Sequence, residues 1–434
     1  MSTHGSSKPN DLPVVKPEEI GFSSERLARI GIRMQERVDR KEIPGAVTLI
    51  ARHGEIAHLE AHGYMDVESK KPMTTDAIFR IASTTKIFTS VALLMLYEEG
   101  IFNLDDPISK YLPEFKNPMV IARLNTGGPP PRSMISGVPV VPAWREINFR
   151  DCITHTAGFA GRSTPVALLK LYLDAFRNTP YAGLILPPEM AGEVATTTVR
   201  EFVKRLARIP LSFQPGTDWE YGAGHDVAGT LVEVISGTTL ADFMQKRIFE
   251  PLRITDTFFY TPEDKLPRLV SIYGSIESED GWQIVVGARN KGGRGFNTYF
   301  GGGGGLFSTI PDLARFAQML LDNGTLNGIR ILSRKTIELM TTNHTGNFYI
   351  PIFGPGYGYG LGVSVCLNPA GSRIPASPGT FGWGGAFATF FYVDPKEDIF
   401  GLYSTQVLGA GAGMRLPTYL GSEFQRLGYQ ALID

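Results

Sequence analysis

Ser83 and Lys86 stand three residues apart in Phe79-Arg80-Ile81-Ala82-Ser83-Thr84-Thr85-Lys86-Ile87-Phe88. On a helix that spacing puts hydroxyl and amine on one face. An amine beside a serine hydroxyl is a compact way to build a nucleophile with its own base. The bare tetrapeptide is a weak signal, expected by chance about once in a chain with this Ser and Lys content. Its context is stronger. Val91, Leu93, Leu94, Met95 and Leu96 are apolar, and Glu98-Glu99-Gly100 closes the run. The pattern predicts a largely buried helix of about 16 residues, stopped by a glycine. Ser83 would lie at its N-terminus, where free backbone N–H groups favour developing negative charge. A serine in that place can also do no more than cap the helix.

Two distant segments could complete such a site. In Gln214-Pro215-Gly216-Thr217-Asp218-Trp219-Glu220-Tyr221-Gly222-Ala223-Gly224, a Pro-Gly turn precedes a tyrosine followed by glycines. A phenol near an ammonium can exchange protons with a serine hydroxyl. The plainer alternative is a packed tyrosine, one of 16 in the chain. In Gly379-Thr380-Phe381-Gly382-Trp383-Gly384-Gly385-Ala386, small residues suit an edge strand along which a substrate carbonyl can lie. A backbone N–H there can join the Ser83 N–H as an oxyanion hole. A tight sheet crossing would use the same residues.

The elements that must position these groups follow from the local patterns. Residues 1–20 read as a loose tail. Phe22 to Arg40 has helical periodicity after Ser23-Ser24, Gly45 to Arg52 is a strand, and Ile56 to Tyr64 returns as a second. Between residues 111 and 264 the pattern is helix and loop. Thr198-Val199-Arg200-Glu201 opens one helix as a capping box. Asn125 to Pro142, with its Gly-Gly-Pro-Pro-Pro run, reads as irregular, and so do residues 160–197. Loops of that length are uncommon unless they cover a site, so 116–145 and 160–197 are expected to shape a pocket. Later, Gly358 to Cys366, Ala386 to Asp394 and Ile399 to Thr405 read as strands. The expected fold is α+β: a central antiparallel sheet completed by both ends of the chain and flanked by helices, with an inserted, mostly helical domain. The boundaries drawn are 21–82 with 265–434 for the α/β part and 83–264 for the helical part.

Bulk properties exclude several functions. A net charge of −1 over 434 residues gives no electrostatic case for nucleic acid or a membrane surface. No apolar run approaches a membrane span, and Met1 to Asn10 lacks the apolar core of a secretory signal, so the expectation is a water-soluble, cytoplasmic protein. Cys152 and Cys366 are expected as free buried thiols. No Cys-x-x-Cys pair offers a metal site, and no cofactor motif occurs. Gly292-Gly293-Arg294-Gly295 and Gly301 to Gly305 lack the Gly-Lys-Ser/Thr of a phosphate loop and read as close packing beside the site, with Arg294 a candidate substrate contact. Gly-x-Ser-x-Gly is absent, which argues against an α/β-hydrolase triad. His155 and His225, at helix ends, read as structural.

Taken together and in this order, the three segments resemble the serine hydrolases of the penicillin-recognising fold, and within them the class C β-lactamase-like branch and the family VIII carboxylesterases. Pro44-Gly45-Ala46-Val47, Leu104-Asp105-Asp106-Pro107, Thr154-His155-Thr156-Ala157-Gly158 and Gly302-Gly303-Gly304-Gly305-Leu306-Phe307-Ser308-Thr309 are similar to that family as well, so the likeness covers about residues 20–425. The resemblance implies that Ser83 is acylated, that Lys86 helps deprotonate it, and that Tyr221 is the general base and proton shuttle. It also implies that the N–H groups of Ser83 and Ala386 polarise the carbonyl, and that Trp383, Gly384 and Gly385 line the substrate.

Two departures from the family pattern matter. Ala223 stands where the family often has Asn or Ser, which removes one side-chain hydrogen bond. Trp383-Gly384-Gly385 replaces a cationic Lys-Thr-Gly, whose charge pairs with the carboxylate of a β-lactam or peptide. The expected activity is therefore hydrolysis of small to medium neutral carboxylic esters, a small-molecule substrate, with weak β-lactam hydrolysis on the shared scaffold. The alternatives are a β-lactamase, amide hydrolase or acyltransferase on the same fold, or a non-catalytic binding protein. His344-Thr345-Gly346 imitates the cationic motif but follows a helix and reads as a decoy. The aromatic stretch Phe348 to Tyr359 suits an acyl pocket or plain core.

Overall fold

The computed structural model describes residues 12–122, 133–159, 166–177, 179, 197–278, 281–285, 298–409 and 415–434. Its centre is an eight-stranded antiparallel sheet made of β1 (Gly45–Arg52), β2 (Glu55–Asp66), β3 (Lys71–Pro72), β4 (Tyr357–Tyr359), β5 (Ser364–Cys366), β6 (Phe381–Gly385), β7 (Thr389–Asp394) and β8 (Ile399–Ser404). The strand order is β4-β5-β6-β7-β8-β1-β2-β3. The two ends of the chain meet where β1 pairs with β8, from Val47 opposite Ser404 to Arg52 opposite Ile399. Around the sheet lie helices α1 (Ser24–Asp39), α2 (Thr85–Glu98), α3 (Phe149–Thr154), α4 (Val166–Phe176), α5 (Val199–Leu206), α6 (Gly224–Ser236), α7 (Ile310–Leu321) and α8 (Arg415–Gln430).

The sheet is covered on both faces, and the period of two along each strand sorts its residues. Ala46, Ile50, Phe390, Tyr392, Ile399 and Tyr403 pack with α1 and α8 through Leu27, Ile30, Met34, Leu420 and Phe424. Val47, Leu49, Phe391, Val393, Phe400 and Leu402 face the larger cluster, which includes Leu313, Phe316 and Leu320 of α7. Double burial explains why these strands read as apolar runs rather than alternating ones. The same cluster continues through Ile87, Phe88, Val91 and Leu94 of α2 to Phe149 and Phe202, so the sheet and the helical region share one core. From Thr85 to Leu96 every residue of α2 is buried. It is a central helix, buried all round through residue 96, rather than an amphipathic surface one. Among the described residues no single helix is long and apolar enough to cross a membrane.

Several local expectations are corrected. Residues 12–20 are not a loose tail: Val14 bridges to Ile56, and a short helix over Pro17–Ile20 buries Ile20. Within Asn125 to Pro142, Ser133–Ile135 and Val138–Pro142 form a hairpin that joins Met119–Ile121 in a three-stranded sheet. Its turn puts Ser136 at φ +50° and Gly137 at φ +76°, the pair of left-handed residues a two-residue hairpin demands. Within 160–197, Val166–Phe176 is helix α4, with Leu168, Ala175 and Phe176 buried and Tyr172 half-buried against α5. Residues 125–132, 160–165, 178 and 180–196, with Gly127 to Pro131 among them, lie outside the described residues, as do Gly292 to Gly295. Gly358 to Cys366 is two strands, because Gly362 at φ +91° turns the chain between β4 and β5. β7 begins at Thr389, and Ala386 to Ala388 form the turn before it.

His58 on β2 gives this fold a pH dependence. It is 5% exposed, with Nε2 2.7 Å from Thr48 Oγ1. Burial pulls its pKa from 6.5 down to about 4. As pH falls below 6.5 the unfolded chain takes the proton first, so the stability His58 contributes is present above 6.5 and is lost towards 4. Between pH 7 and 4.5 that loss is about 2–3 kcal/mol. In urea titrations at the two pH values, His58→Gln is expected to lose about 2–3 kcal/mol less than the parent protein over the same interval. Equal losses would show that the ring titrates normally.

Candidate active site

Ser83 sits on a single turn of tight helix, Ala82–Thr84, that runs directly into α2. Ala82 takes φ +43°, a left-handed value that a residue with a side chain adopts only under constraint. The constraint is visible. Ile81 N–H donates to Leu306 O at 3.1 Å, and Thr84 N–H and the Thr389 hydroxyl both donate to Ile81 O at 3.1 Å. Gly385 closes the contact from the sheet, because a Cβ there would lie 2.4 Å from Ile81 O and 2.2 Å from Thr389 Oγ1. The Ser83 hydroxyl makes no cap bond to α2. It points instead to Lys86 and Tyr221.

Lys86 lies one turn on and is 4% exposed. Its ammonium donates to Ser83 Oγ at 3.2 Å and to the carbonyl of Gly303 at 2.5 Å. The glycine run is what brings that carbonyl in. Thr89 Oγ1 donates to Gly302 O at 2.8 Å, Gly303 N–H donates to Asp226 Oδ1 at 3.2 Å, and a Cβ on Gly302 would strike His225 O at 2.4 Å. The loop therefore lies flat between α2 and α6 and offers a carbonyl oxygen to an amine.

Tyr221 comes from the third region. Its hydroxyl and that of Ser83 are hydrogen-bonded at 2.7 Å, and Lys86 Nζ stands 4.8 Å from the centre of its ring. Gly224, three residues later, starts α6 hard against α3; a Cβ would lie 2.1 Å from Cys152 O. Trp383 on β6 stacks on the phenol with ring centres 5.6 Å apart and planes 24° apart. Trp383 is 1% exposed, so its indole backs Tyr221 and is itself covered by Phe353 and Tyr359 at 5.2 Å each. That differs from a tryptophan lining the substrate, and the reason is the pleat: Trp383 points into the core face of β6. Gly384, its neighbour, is the half-buried residue of that strand. β5 pairs with Phe381 and Gly382, so among the described residues Trp383 to Gly385 pair on the β7 side alone. Ala386 follows at the strand end and packs with Ala82 beside Ile272 and Phe387.

The structure thus brings Ser83, Lys86 and Tyr221 to one point, with Gly385 and Ala386 at the base of the Ser83 turn. Two histidines lie behind it. His155 and His225 are fully buried with rings 5.0 Å apart, and burial together with the charge of Lys86 holds both well below the usual imidazole pKa. Both are therefore neutral. His344 is elsewhere: Arg150 Nη1 donates to its Nδ1 at 3.0 Å and its Nε2 donates to Leu339 O at 2.8 Å, a fixed structural tautomer. In Phe348 to Tyr359, Ile350 and Tyr359 belong to the core, whereas Tyr349 is 62% exposed. Cys152 and Cys366 are free and buried. Among the described residues no three His, Cys, Asp or Glu side chains converge on a point. The chemistry on offer is acid–base and nucleophilic: a half-exposed hydroxyl, a buried amine and a phenol within proton-transfer distance.

Comparison with known proteins fits this geometry. The family model described as Beta-lactamase matches residues 33–421. Protein Rv1367c of Mycobacterium tuberculosis is 32% identical over 86% of this chain and 88% of its own length. A lovastatin esterase of Penicillium rubens is 30% identical over 86% of this chain and 91% of its own. Among solved structures, EstCE1, described as a hydrolase with promiscuous acyltransferase activity, superposes with a TM-score of 0.71 at 25% identity, covering 93% of this chain and 99% of its own.

The contact between β6 and the Ser83 turn can be tested directly. Gly385→Ala must push the strand end away from Ile81 O and is expected to cost about 1–3 kcal/mol of stability. Its larger effect should be on Ser83. Labelling by a fluorophosphonate probe is expected to slow at least tenfold, on the order of what a sub-ångström misplacement costs. A variant that labels at the parental rate would show that Ser83 does not depend on this contact.

Proposed function

The chain belongs to the beta-lactamase family, and we propose that within it this serine hydrolase is a carboxylesterase acting on small to medium neutral esters through an acyl-enzyme on Ser83. The observation that carries the reading is the meeting of three groups at one oxygen: Ser83 Oγ lies 3.2 Å from Lys86 Nζ and 2.7 Å from Tyr221 Oη. The preference for neutral esters rests on the site's one departure in charge. The position of a carboxylate-pairing cation is taken by Trp383, an apolar ring packed behind the phenol. The esterase named among the relatives supports the same choice.

The steps follow from the geometry. The step requires Tyr221 as a phenolate: beside the ammonium of Lys86, it would accept the Ser83 proton as Oγ bonds to the ester carbonyl carbon. Negative charge moves to the carbonyl oxygen, where the N–H groups of Ser83 and Ala386 would receive it. Collapse breaks the bond to the alkoxy oxygen, which takes the proton back from Tyr221 and leaves as alcohol. Water then repeats the sequence: it gives its proton to Tyr221, adds to the acyl carbon and releases the acid, and Ser83 Oγ recovers a proton. An alcohol or amine in place of water would give acyl transfer. That second reading is favoured by the acyltransferase activity in the description of EstCE1.

Ser83→Ala is expected to abolish hydrolysis of p-nitrophenyl acetate and butyrate. Lys86→Ala and Tyr221→Phe should each lower kcat on the order of 100-fold or more while circular dichroism stays unchanged. Intact-mass spectrometry should find one acyl group on the parent protein and none on Ser83→Ala. Parental turnover by Ser83→Ala would remove the assignment. Faster turnover of nitrocefin than of any ester would move the activity to β-lactams, and preferential product formation with an added alcohol would move it to acyl transfer.

A further inference from the structure

We propose that His155 is a positioning residue for Tyr221: it grips the chain on both sides of the phenol and so sets the distance from Tyr221 Oη to Ser83 Oγ. Its role rests on the reading of Tyr221 as the proton shuttle. Two bonds carry it. The backbone carbonyl of His155 accepts from Glu220 N–H at 3.0 Å, and its ring Nδ1 lies in accepting position for Gly222 N–H at 3.4 Å. Residue 155 thus anchors the N–H groups of the residues on either side of Tyr221, the second across 67 positions of chain between residues 155 and 222.

The anchor is itself fixed. His155 ends α3 in the left-handed conformation, φ +60°, and α3 is locked by a capping box in which Asn148 and Asp151 bond to each other's backbone. Its imidazole is wedged against Tyr221, Tyr359 and Trp219, with ring centres 4.7, 5.3 and 5.7 Å away. An accepting Nδ1 requires the proton to sit on Nε2, and burial beside Lys86 keeps the ring from taking a second one. Protonated at Nδ1, the ring would present a donor to a donor. Among the described residues Nε2 finds no partner. An apolar side chain would fill the same space without burying an unmatched N–H, so space-filling alone does not account for a histidine here. The accepting nitrogen does.

Two substitutions separate the grip from the backbone. Both Asn and Gly tolerate the left-handed conformation at residue 155. Asn keeps an acceptor oxygen close to the place of Nδ1, and Gly removes it. His155→Gly is expected to lower kcat for p-nitrophenyl butyrate on the order of tenfold or more with KM within about twofold, and to slow fluorophosphonate labelling of Ser83 in parallel. His155→Asn should recover kcat to within about threefold of the parent protein. A merely structural residue would move the melting temperature of His155→Gly and leave the split between kcat and KM unchanged. Parental kcat in a folded His155→Gly overturns the proposal, and so does a loss in His155→Asn as deep as in His155→Gly. Should His155→Gly fail to fold, ring-15N spectra of the parent protein decide, with the His155 signals assigned from their absence in His155→Asn. The neutral tautomer protonated at Nε2 supports the grip, and one protonated at Nδ1 refutes it. If no ester is turned over but labelling follows the same order across the variants, the ester assignment fails and the positioning role stands.

Discussion

A lysine amine buried beside a serine hydroxyl is the constraint around which this molecule is arranged. Lys86 is 4% exposed, and among the described residues no carboxylate pairs with it. An ammonium taken out of water costs several kcal/mol unless its protons find acceptors. Here the acceptors are not carboxylates but the carbonyl of Gly303, the hydroxyl of Ser83 and the face of the Tyr221 ring. A carboxylate would satisfy the lysine more strongly and would also fix its proton. Without one among the described residues, the lysine charge bears on the phenol and on Ser83 Oγ, the oxygen that loses a proton in the proposed mechanism.

That choice dictates the backbone around it. A carbonyl reaches Lys86 because Gly302 and Gly303 fit where a Cβ would strike His225 O or Asp226 Oδ2. The phenol reaches Ser83 because Gly224 lets α6 start against the Cys152 carbonyl. The sheet reaches the Ser83 turn because Gly385 fits against Ile81 O. Each is a close approach of backbone to backbone, the use of glycine that depends on the missing side chain rather than on φ. The strain at Ala82 belongs to the same set, since hydrogen bonds from Thr84, Thr389 and Ile81 hold the turn from three directions.

How much of this could be read from the chain depended on whether the signal was local. The Ser83 and Lys86 pair is a one-turn spacing, and α1, β1 and the two-ended sheet follow from periodicity and caps such as Ser23 accepting from Arg26 N–H. Tyr221 is different: a Pro-Gly turn and following glycines single it out locally, but its meeting with Ser83, 138 residues away, is implied only by the family resemblance. The hairpin over residues 133–142 was hidden by the prolines before it, although Ser136-Gly137 is a turn signal. Helix α4 carries helical spacing in Leu168, Leu171, Tyr172, Ala175 and Phe176, yet sits among irregular neighbours. From sequence alone His155 reads as structural, because its bonds to Glu220 and Gly222 are long-range contacts with no local trace.

Trp383 bears on both the proposed specificity and the mechanics of the site. A cation at this place would face Lys86 across the phenol and compete for the same proton-transfer partners. An indole stacked at 5.6 Å adds no charge and fills the space behind Tyr221. With His155 and His225 both held neutral, Lys86 is then, among the described residues, the one cation in the side chains packed on that ring. A single charge in a low-dielectric wall acts more strongly on the phenolate than it would in water. On the proposed reading, the lack of a carboxylate-pairing cation at residue 383 and the concentration of the Lys86 charge on Tyr221 are one feature seen from two sides of the ring.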